Sequence, residues 1–216
     1  MDYARVRDLM VETQVRTSDV TDTRVLGAMR ALPRERFLPA HKRALAYADI
    51  EAEAAAGRTL LRPRDLAKLV QALNAKAHER ALEIAGATGY GAAVLAACCQ
   101  FVVTLDPDPD LSFAARAALE SVGVKNAKTV STNAAAGWPD EAPYDLIMLN
   151  GAAEIVPDAW LAQLAPGGRL GIIVREGAAG AARIYTRTGE KCAYTIAFDA
   201  APPVVAGLER PPAFAF

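Results

Sequence analysis

Residues 81–90 read ALEIAGATGY, and this stretch decides the fold. Its first half is a short apolar run that contains Glu83, its second half contains the turn formers Gly86 and Gly89, and an apolar, alanine-rich segment follows. A buried strand, a tight turn and a buried helix fit this order. The stretch therefore predicts the first strand-turn-helix unit of an α/β domain.

The same alternation continues downstream. The predicted strands cover 81–85, 101–105, 128–131, 145–149 and 169–174, and the predicted helices cover 90–99, 109–121 and 157–164. Strands that alternate with helices predict βαβ units and a parallel sheet covered on both faces. We expect an α/β fold with a Rossmann-like, doubly wound and mostly parallel sheet.

The first sixty residues show a different pattern. Apolar residues recur there at helical spacing, and we find no strand pattern. Residues 51–57 form an alanine-rich connection, and Pro63 begins a further amphipathic helix. The sequence therefore predicts a helical cap at the amino terminus.

The carboxy-terminal part predicts an antiparallel hairpin and a strap. Residues 181–186 and 193–198 flank Gly189 without room for a helix. Four prolines follow, and we expect an extended strap with Phe214 and Phe216 available to dock. The predicted organisation is a helical cap and substrate-side segment at 1–62, a Rossmann-like core at 63–200 and a strap at 201–216.

Composition excludes several classes of partner. The chain has 216 residues, a formal net charge of -1 and no basic block, so we expect no nucleic-acid partner and no anionic membrane surface. Residues 84–105 are uncharged and long enough to span a bilayer by count. Their glycines and the β-branched run at their end favour strand, turn, helix and strand instead. The amino terminus lacks an apolar signal core, and we expect a cytoplasmic protein.

Neither a metal site nor a redox site is predicted. The three cysteines, Cys98, Cys99 and Cys192, have no metal or redox spacing and are expected to be inert. Asp106, Asp108 and Asp110 alternate as calcium ligands do, but prolines intervene and no glycine follows.

The candidate site combines two acidic residues with the turn. In a doubly wound sheet, ligands bind at the carboxyl ends of the strands. Glu83 lies in the first predicted strand, and Asp106 ends the second, 20 positions after Gly86. An ionised carboxylate at that place accepts hydrogen bonds from ribose hydroxyls. A nucleotide-containing cofactor follows, although Glu83 as an ion-pair residue and Asp106 as a simple helix cap remain alternatives.

These residues, together with an amino-terminal block within residues 10–39, resemble the protein-L-isoaspartate O-methyltransferases. This is a family of class I S-adenosylmethionine-dependent methyltransferases. The similarity covers nearly the whole chain, and its amino-terminal block is the most specific part. The matching segments are 10–16, 20–22, 25–26, 33–34, 36–39, 82–84, 89–90, 92–96, 137–139, 142–145, 157, 161–164 and 166–170.

The resemblance implies a function. The family uses S-adenosyl-L-methionine to methylate the abnormal α-carboxyl group of isoaspartyl peptides or proteins, which can then return to aspartate through a succinimide. A peptide carboxylate is already ionised at neutral pH, so no strong general base is required. The resemblance assigns Thr59 as the catalytic candidate and the following cofactor-binding residues: Glu83, Ala85, Gly86, Ala87, Gly89, Asp106 and Asn133.

The chain departs from the family pattern at four positions. Leu61 stands where the family has a serine, Ala85 and Ala87 stand where it has glycines, and Asn133 replaces an aspartate expected to bind adenine. Loss of a hydroxyl that orients a ligand would cost about tenfold to a hundredfold in rate. Each alanine methyl would cost about 1 to 3 kcal/mol if it pointed at the cofactor. We therefore expect reduced activity.

Two other functions remain open. A non-catalytic binding or regulatory module on the same fold is favoured by Leu61 and the two alanines. A methyltransferase with a changed acceptor is compatible with the more apolar Leu61. The sequence makes no prediction of oligomeric state.

Overall fold

The computed structural model of the chain describes residues 1–211. Phe214 and Phe216, expected to dock, lie outside the described residues. The helices are α1 (Tyr3–Met10), α2 (Thr23–Ala31), α3 (Pro63–Leu73), α4 (Tyr90–Ala96), α5 (Pro109–Ser121) and α6 (Asp158–Ala162). The strands are β1 (Ala52–Ala55), β2 (Arg58–Leu60), β3 (Arg80–Ile84), β4 (Phe101–Asp106), β5 (Ala127–Ser131), β6 (Tyr144–Ala153), β7 (Leu164–Glu176), β8 (Ala179–Thr188) and β9 (Lys191–Asp199).

Seven of these strands form one mixed sheet in the order β5-β4-β3-β6-β7-β8-β9. The strands from β5 to β7 pair in parallel, whereas β8 pairs antiparallel with both β7 and β9. The predicted α/β class, the Rossmann-like sheet and the antiparallel hairpin are confirmed. The winding reverses between β3 and β6, which is where such a sheet binds ligands.

The sheet separates two apolar clusters. Along β6, Leu146 and Met148 belong to one cluster, and Ile147 and Leu149 belong to the other. This alternation follows from the two-residue period of a strand covered on both faces. The stretch 84–105 runs through β3, α4 and β4 as expected, and across residues 1–211 there is no helix long and apolar enough to cross a membrane.

The amino-terminal part contains the predicted helices, but the expectation that it has no strand is wrong. The alanine-rich connection at 51–57 forms most of an antiparallel hairpin, in which β1 pairs with β2. Gly57 supplies the turn with a φ of 69°, a conformation that glycine adopts at no steric cost. Alanine has a low preference for strands, and the hairpin therefore has no sequence signature.

The described part of the strap crosses the carboxyl end of β6. Val204 forms an isolated parallel bridge with Ala152, and the Val205 N–H donates to the Ala152 carbonyl at 2.9 Å. Leu208 is fully buried in the second apolar cluster. The strap thus covers the edge of the sheet at which ligands bind in such folds.

Candidate active site

The candidate site lies where β3, β4 and β6 end. Glu83 is the second-last residue of β3, Asp106 is the last of β4, and Asn150 lies near the end of β6. All three side chains are buried. The topology therefore brings the two predicted acidic residues together with a third polar residue beside the turn after β3.

The turn has the conformation that a glycine would adopt, but it is built with alanine. Ala85 and Ala87 have φ values of 57° and 49°, in the left-handed region that costs an L-residue about 1 to 2 kcal/mol. Their methyl groups are buried, and each belongs to one of the apolar clusters. The methyl groups pack against apolar side chains in this structure, and the two alanines carry a cost in backbone conformation.

The glycines of this region make room for Glu83. A Cβ on Gly86 would lie 2.5 Å from Glu83 Oε2, and a Cβ on Gly91 would also collide with the Glu83 carboxyl group. Gly89 has a φ of 86° and precedes the first turn of α4. Gly86 and Gly91 have no side chain that would collide with the Glu83 carboxyl group, and Gly89 adopts a positive φ that favours glycine.

Glu83 is fully buried and carries an unusual pKa. Oε2 accepts a hydrogen bond of 2.7 Å from the Thr104 hydroxyl, while Oε1 has no partner among the residues that the structure describes. Burial raises the pKa of the Glu83 carboxyl to about 8, and the Thr104 hydrogen bond opposes this shift. Oε1 faces the first turn of α4, where the main chain at Ala92 also opposes the rise in pKa. A positive charge brought by a ligand would favour the ionised carboxylate.

Asp106 is the most heavily bonded acid of the site. Oδ2 accepts from the Ala87 N–H at 2.9 Å and from the Arg58 guanidinium, and Oδ1 accepts from the Asp108 N–H at 3.1 Å. Burial raises the pKa of Asp106, and the Arg58 charge opposes that rise. The sequence did not indicate Arg58, because it lies 48 residues away in the unpredicted hairpin.

Asn150 ties the hairpin to the turn. Its Nδ2 donates at 3.1 Å to the carbonyls of Thr59 and Ala85, and its Oδ1 accepts from the Leu61 N–H at 3.4 Å. From sequence, Asn150 is equally a turn residue before Gly151. The structure shows instead that it positions the main chain on both sides of the site.

Leu61 and Thr59 have different environments. Leu61 is 1% exposed and packs in the first apolar cluster, and its carbonyl accepts from the fully buried Arg34 at 2.8 Å. Thr59 is half-buried and lines the cavity of the site. Leu61 thus packs in the core in this conformation, whereas Thr59 is partly accessible.

Asn133 caps a short helix instead of standing free. Its Oδ1 accepts from the Ala135 N–H at 2.9 Å and so begins the turn Ala134–Ala136. The oxygen expected to accept from adenine therefore already has one donor. A carbonyl oxygen has a second lone pair, and the adenine contact at Asn133 stays a prediction.

A small cavity connects these elements. It is lined by residues 57–59 of the hairpin, residues 150–151 of β6 and residues 203–205 of the strap, and its volume is about 10 Å³. Ligand pockets usually measure about 300 to 1,000 Å³. The donors and acceptors fit a nucleotide cofactor, but the hairpin and strap stand in a closed arrangement over them.

Comparison with known proteins gives a consistent result. Residues 5–198 match the family model described as protein-L-isoaspartate(D-aspartate) O-methyltransferase. A protein-L-isoaspartate O-methyltransferase of Syntrophobacter fumaroxidans is 36% identical over 170 residues, which cover 79% of each chain. One from Methanoculleus marisnigri is 38% identical over 166 residues, 77% of this chain and 76% of the relative.

Solved structures share the fold. A protein-L-isoaspartate O-methyltransferase structure superposes with a TM-score of 0.82 at 23% identity, covering 94% of this chain and 67% of the other. A Plasmodium falciparum protein crystallised with S-adenosyl-L-homocysteine gives 0.77 at 18% identity, covering 92% and 97%. At these identities the match concerns the fold alone.

Proposed function

The chain belongs to the protein-L-isoaspartate(D-aspartate) O-methyltransferase family, and we propose that it transfers a methyl group from S-adenosylmethionine to the α-carboxylate of isoaspartyl peptides or proteins. The observation that carries the proposal is the buried Asp106 at the end of β4, next to the turn after β3. That arrangement is the ribose-binding geometry of a doubly wound sheet.

Asp106 and Glu83 are proposed to bind different parts of the cofactor. Asp106 accepts from the ribose hydroxyls, because an ionised carboxylate is an acceptor only. Glu83 is buried beneath the turn, and its Oε1 has no hydrogen-bond partner among the described residues. A positive group of the bound cofactor would lower the pKa of Glu83 and favour its ionised form. When bound, S-adenosylmethionine supplies an electrophilic methyl group. The chain itself has to orient the acceptor oxygen in line with that methyl group.

The acceptor needs orientation rather than activation. Its carboxylate has a reference pKa of about 4 and is ionised at neutral pH, so no residue has to remove a proton. Thr59 lines the cavity, and its hydroxyl is the proposed donor to the acceptor carboxylate. Asn150 fixes the Thr59 main chain relative to the turn, which keeps that donor in register with the cofactor.

We propose the cytoplasm as the location of this activity. The thiols of Cys98, Cys99 and Cys192 are all free, which suits a reducing compartment. Burial also raises the pKa values of Cys98 to about 11 and Cys99 to about 12, so these thiols remain protonated.

A methyl-ester assay tests the proposal. The full chain is incubated with S-adenosylmethionine and either an isoaspartyl peptide or the same peptide with ordinary aspartate. We expect methyl ester on the isoaspartyl peptide alone, and a loss of about tenfold or more in the Thr59→Ala variant. Equal labelling of both peptides would indicate a different acceptor. Cofactor binding without any methyl transfer would indicate a non-catalytic module.

A further inference from the structure

Arg58 and Asp106 form a buried ion pair inside the cofactor site. Their side chains are 13% and 3% exposed. Arg58 begins β2, directly after the turn residue Gly57, and reaches across to the end of β4. The pair therefore joins the hairpin to the carboxylate proposed to bind ribose.

Asp106 has too few acceptor positions for Arg58 and ribose together. A carboxylate offers about four lone-pair positions. Three are already used by Arg58, the Ala87 N–H and the Asp108 N–H. A ribose diol brings two more donors, so one present donor has to leave. The two N–H groups belong to the main chain of the turn and of the segment before α5, which leaves the Arg58 side chain as the donor that can move.

The hairpin permits such a movement at its tip. Its base is fixed by Arg62, which donates to both carboxylate oxygens of Glu51 at 2.7 and 3.0 Å. At the tip, the position of a Cβ on Gly57 has no atom within 4 Å. A displaced Arg58 side chain can therefore swing while the base of the hairpin stays in place.

The displaced guanidinium needs a new anionic partner. Among the described residues that line the cavity, Arg58 is the only charged one, and Thr59 is its neighbour. An arginine removed from its carboxylate in a partly buried place requires another anion, and a guanidinium matches a carboxylate with two parallel hydrogen bonds. The cofactor and the acceptor each bring a carboxylate. The acceptor carboxylate is the one proposed to bind next to Thr59, the neighbour of Arg58 in the lining of the cavity.

We propose that Arg58 is a positioning residue that exchanges partners: it closes the site on Asp106 before the cofactor binds, and it then holds the acceptor carboxylate beside Thr59. The inference rests on the proposed function. It makes the site specific for anionic acceptors and links the arrival of the cofactor to the formation of the acceptor site.

The two halves of this exchange are measured separately. Methylthioadenosine contains adenine and ribose but no carboxylate, so its affinity reports competition at Asp106 alone. We expect Arg58→Gln to bind it about tenfold more tightly than the unmodified chain, because a charge-assisted contact no longer has to be broken. Arg58→Lys should lie between the two, and Arg43→Gln, at an exposed arginine, should change nothing.

The second half appears in the kinetics with an isoaspartyl peptide. Arg58→Gln should raise KM for the peptide about tenfold with kcat changed less than threefold, whereas Arg58→Lys should restore most of the KM. Thermal unfolding of each variant verifies that it is folded, and Arg58→Lys supplies the comparison if Arg58→Gln is not.

The outcomes separate the two proposals. One outcome would overturn the exchange but leave the proposed function intact. In that outcome the unmodified chain binds S-adenosylhomocysteine, and Arg58→Gln binds methylthioadenosine no more tightly than the unmodified chain does. An unchanged peptide KM in Arg58→Gln would overturn the acceptor half. Failure of every variant, Arg58→Gln included, to bind S-adenosylhomocysteine would overturn the proposed function and the exchange together.

Discussion

The Glu83 carboxylate accepts a hydrogen bond of 2.7 Å from the Thr104 hydroxyl across the neighbouring parallel strands β3 and β4. The two residues are directly paired in the sheet register. Thr104 is the hydrogen-bonding partner that the structure gives this carboxyl group in a fully buried position. The hydrogen bond gives the buried acid a polar partner beneath the turn. Burial raises the pKa of Glu83 to about 8, and the Thr104 hydroxyl opposes that rise.

Glu83 should make the stability of the protein depend on pH. Its pKa is about 8 in the folded state against an ordinary 4.5, so the folded state holds a proton that the unfolded chain releases. The contribution is present below pH 4.5 and is lost as the pH rises towards 8. We expect the stability advantage of Glu83→Gln over the unmodified chain to grow by about 3 kcal/mol between pH 5 and pH 8. Urea unfolding at both pH values measures this gain, and a constant difference would show that Glu83 is ionised throughout.

Gly86 should not tolerate a side chain. A Cβ there would lie 2.5 Å from Glu83 Oε2 and would also meet the Thr104 hydroxyl, and overpacking of this kind costs about 1 to 3 kcal/mol. Gly86→Ala should therefore lower the free energy of unfolding by that amount. Gly27→Ala is the matched control, because its Cβ meets nothing within 4 Å in α2, and it should stabilise the chain by about 0.5 to 1 kcal/mol. Equal effects would contradict the packing argument.

The double variant Ala85→Gly, Ala87→Gly should leave cofactor affinity nearly unchanged. Both methyl groups pack in the core, so glycine relieves about 1 to 2 kcal/mol of backbone strain per residue but loses buried methyl contacts of similar size. We expect S-adenosylhomocysteine affinity within about threefold of the unmodified chain, measured by calorimetry. A tenfold gain would show that the methyl groups face the cofactor.

Placing at position 61 the serine that the resemblance predicts should destabilise the protein. Leu61 is 1% exposed and belongs to the first apolar cluster, so Leu61→Ser removes core packing and buries a hydroxyl at a cost of about 2 to 5 kcal/mol. Leu45, at 48% exposure, is the matched control, and Leu45→Ser should change the unfolding midpoint little. Higher methyl transfer with unchanged stability in Leu61→Ser would mean that position 61 faces the acceptor.

The sequence predicts the sheet well because its strands are buried runs with strong periodicity. Even the weak strand at 128–131 is present, within β5. The hairpin of β1 and β2 escaped prediction because alanine gives a strand neither β-branched residues nor alternation. The second half of β6 was missed for a similar reason, since Asn150 and Gly151 signal a turn.

The sequence predicts the site residues that follow one another along the chain, but not those that the fold brings in from distant segments. Glu83, Asp106 and the turn follow from their spacing after β3. The roles of Arg58 and Asn150 do not, because each depends on contacts between residues 48 to 91 positions apart. The direction of the alanine methyl groups likewise depends on the packing of both faces of the sheet.

Titration of S-adenosylhomocysteine into the full chain determines whether a turn built with Ala85 and Ala87 still forms a cofactor site with Asp106. We expect saturable binding by calorimetry and an affinity about tenfold or more lower in Asp106→Asn, where the ribose acceptor loses its charge. No heat at millimolar ligand, or equal affinity in Asp106→Asn, would contradict this expectation.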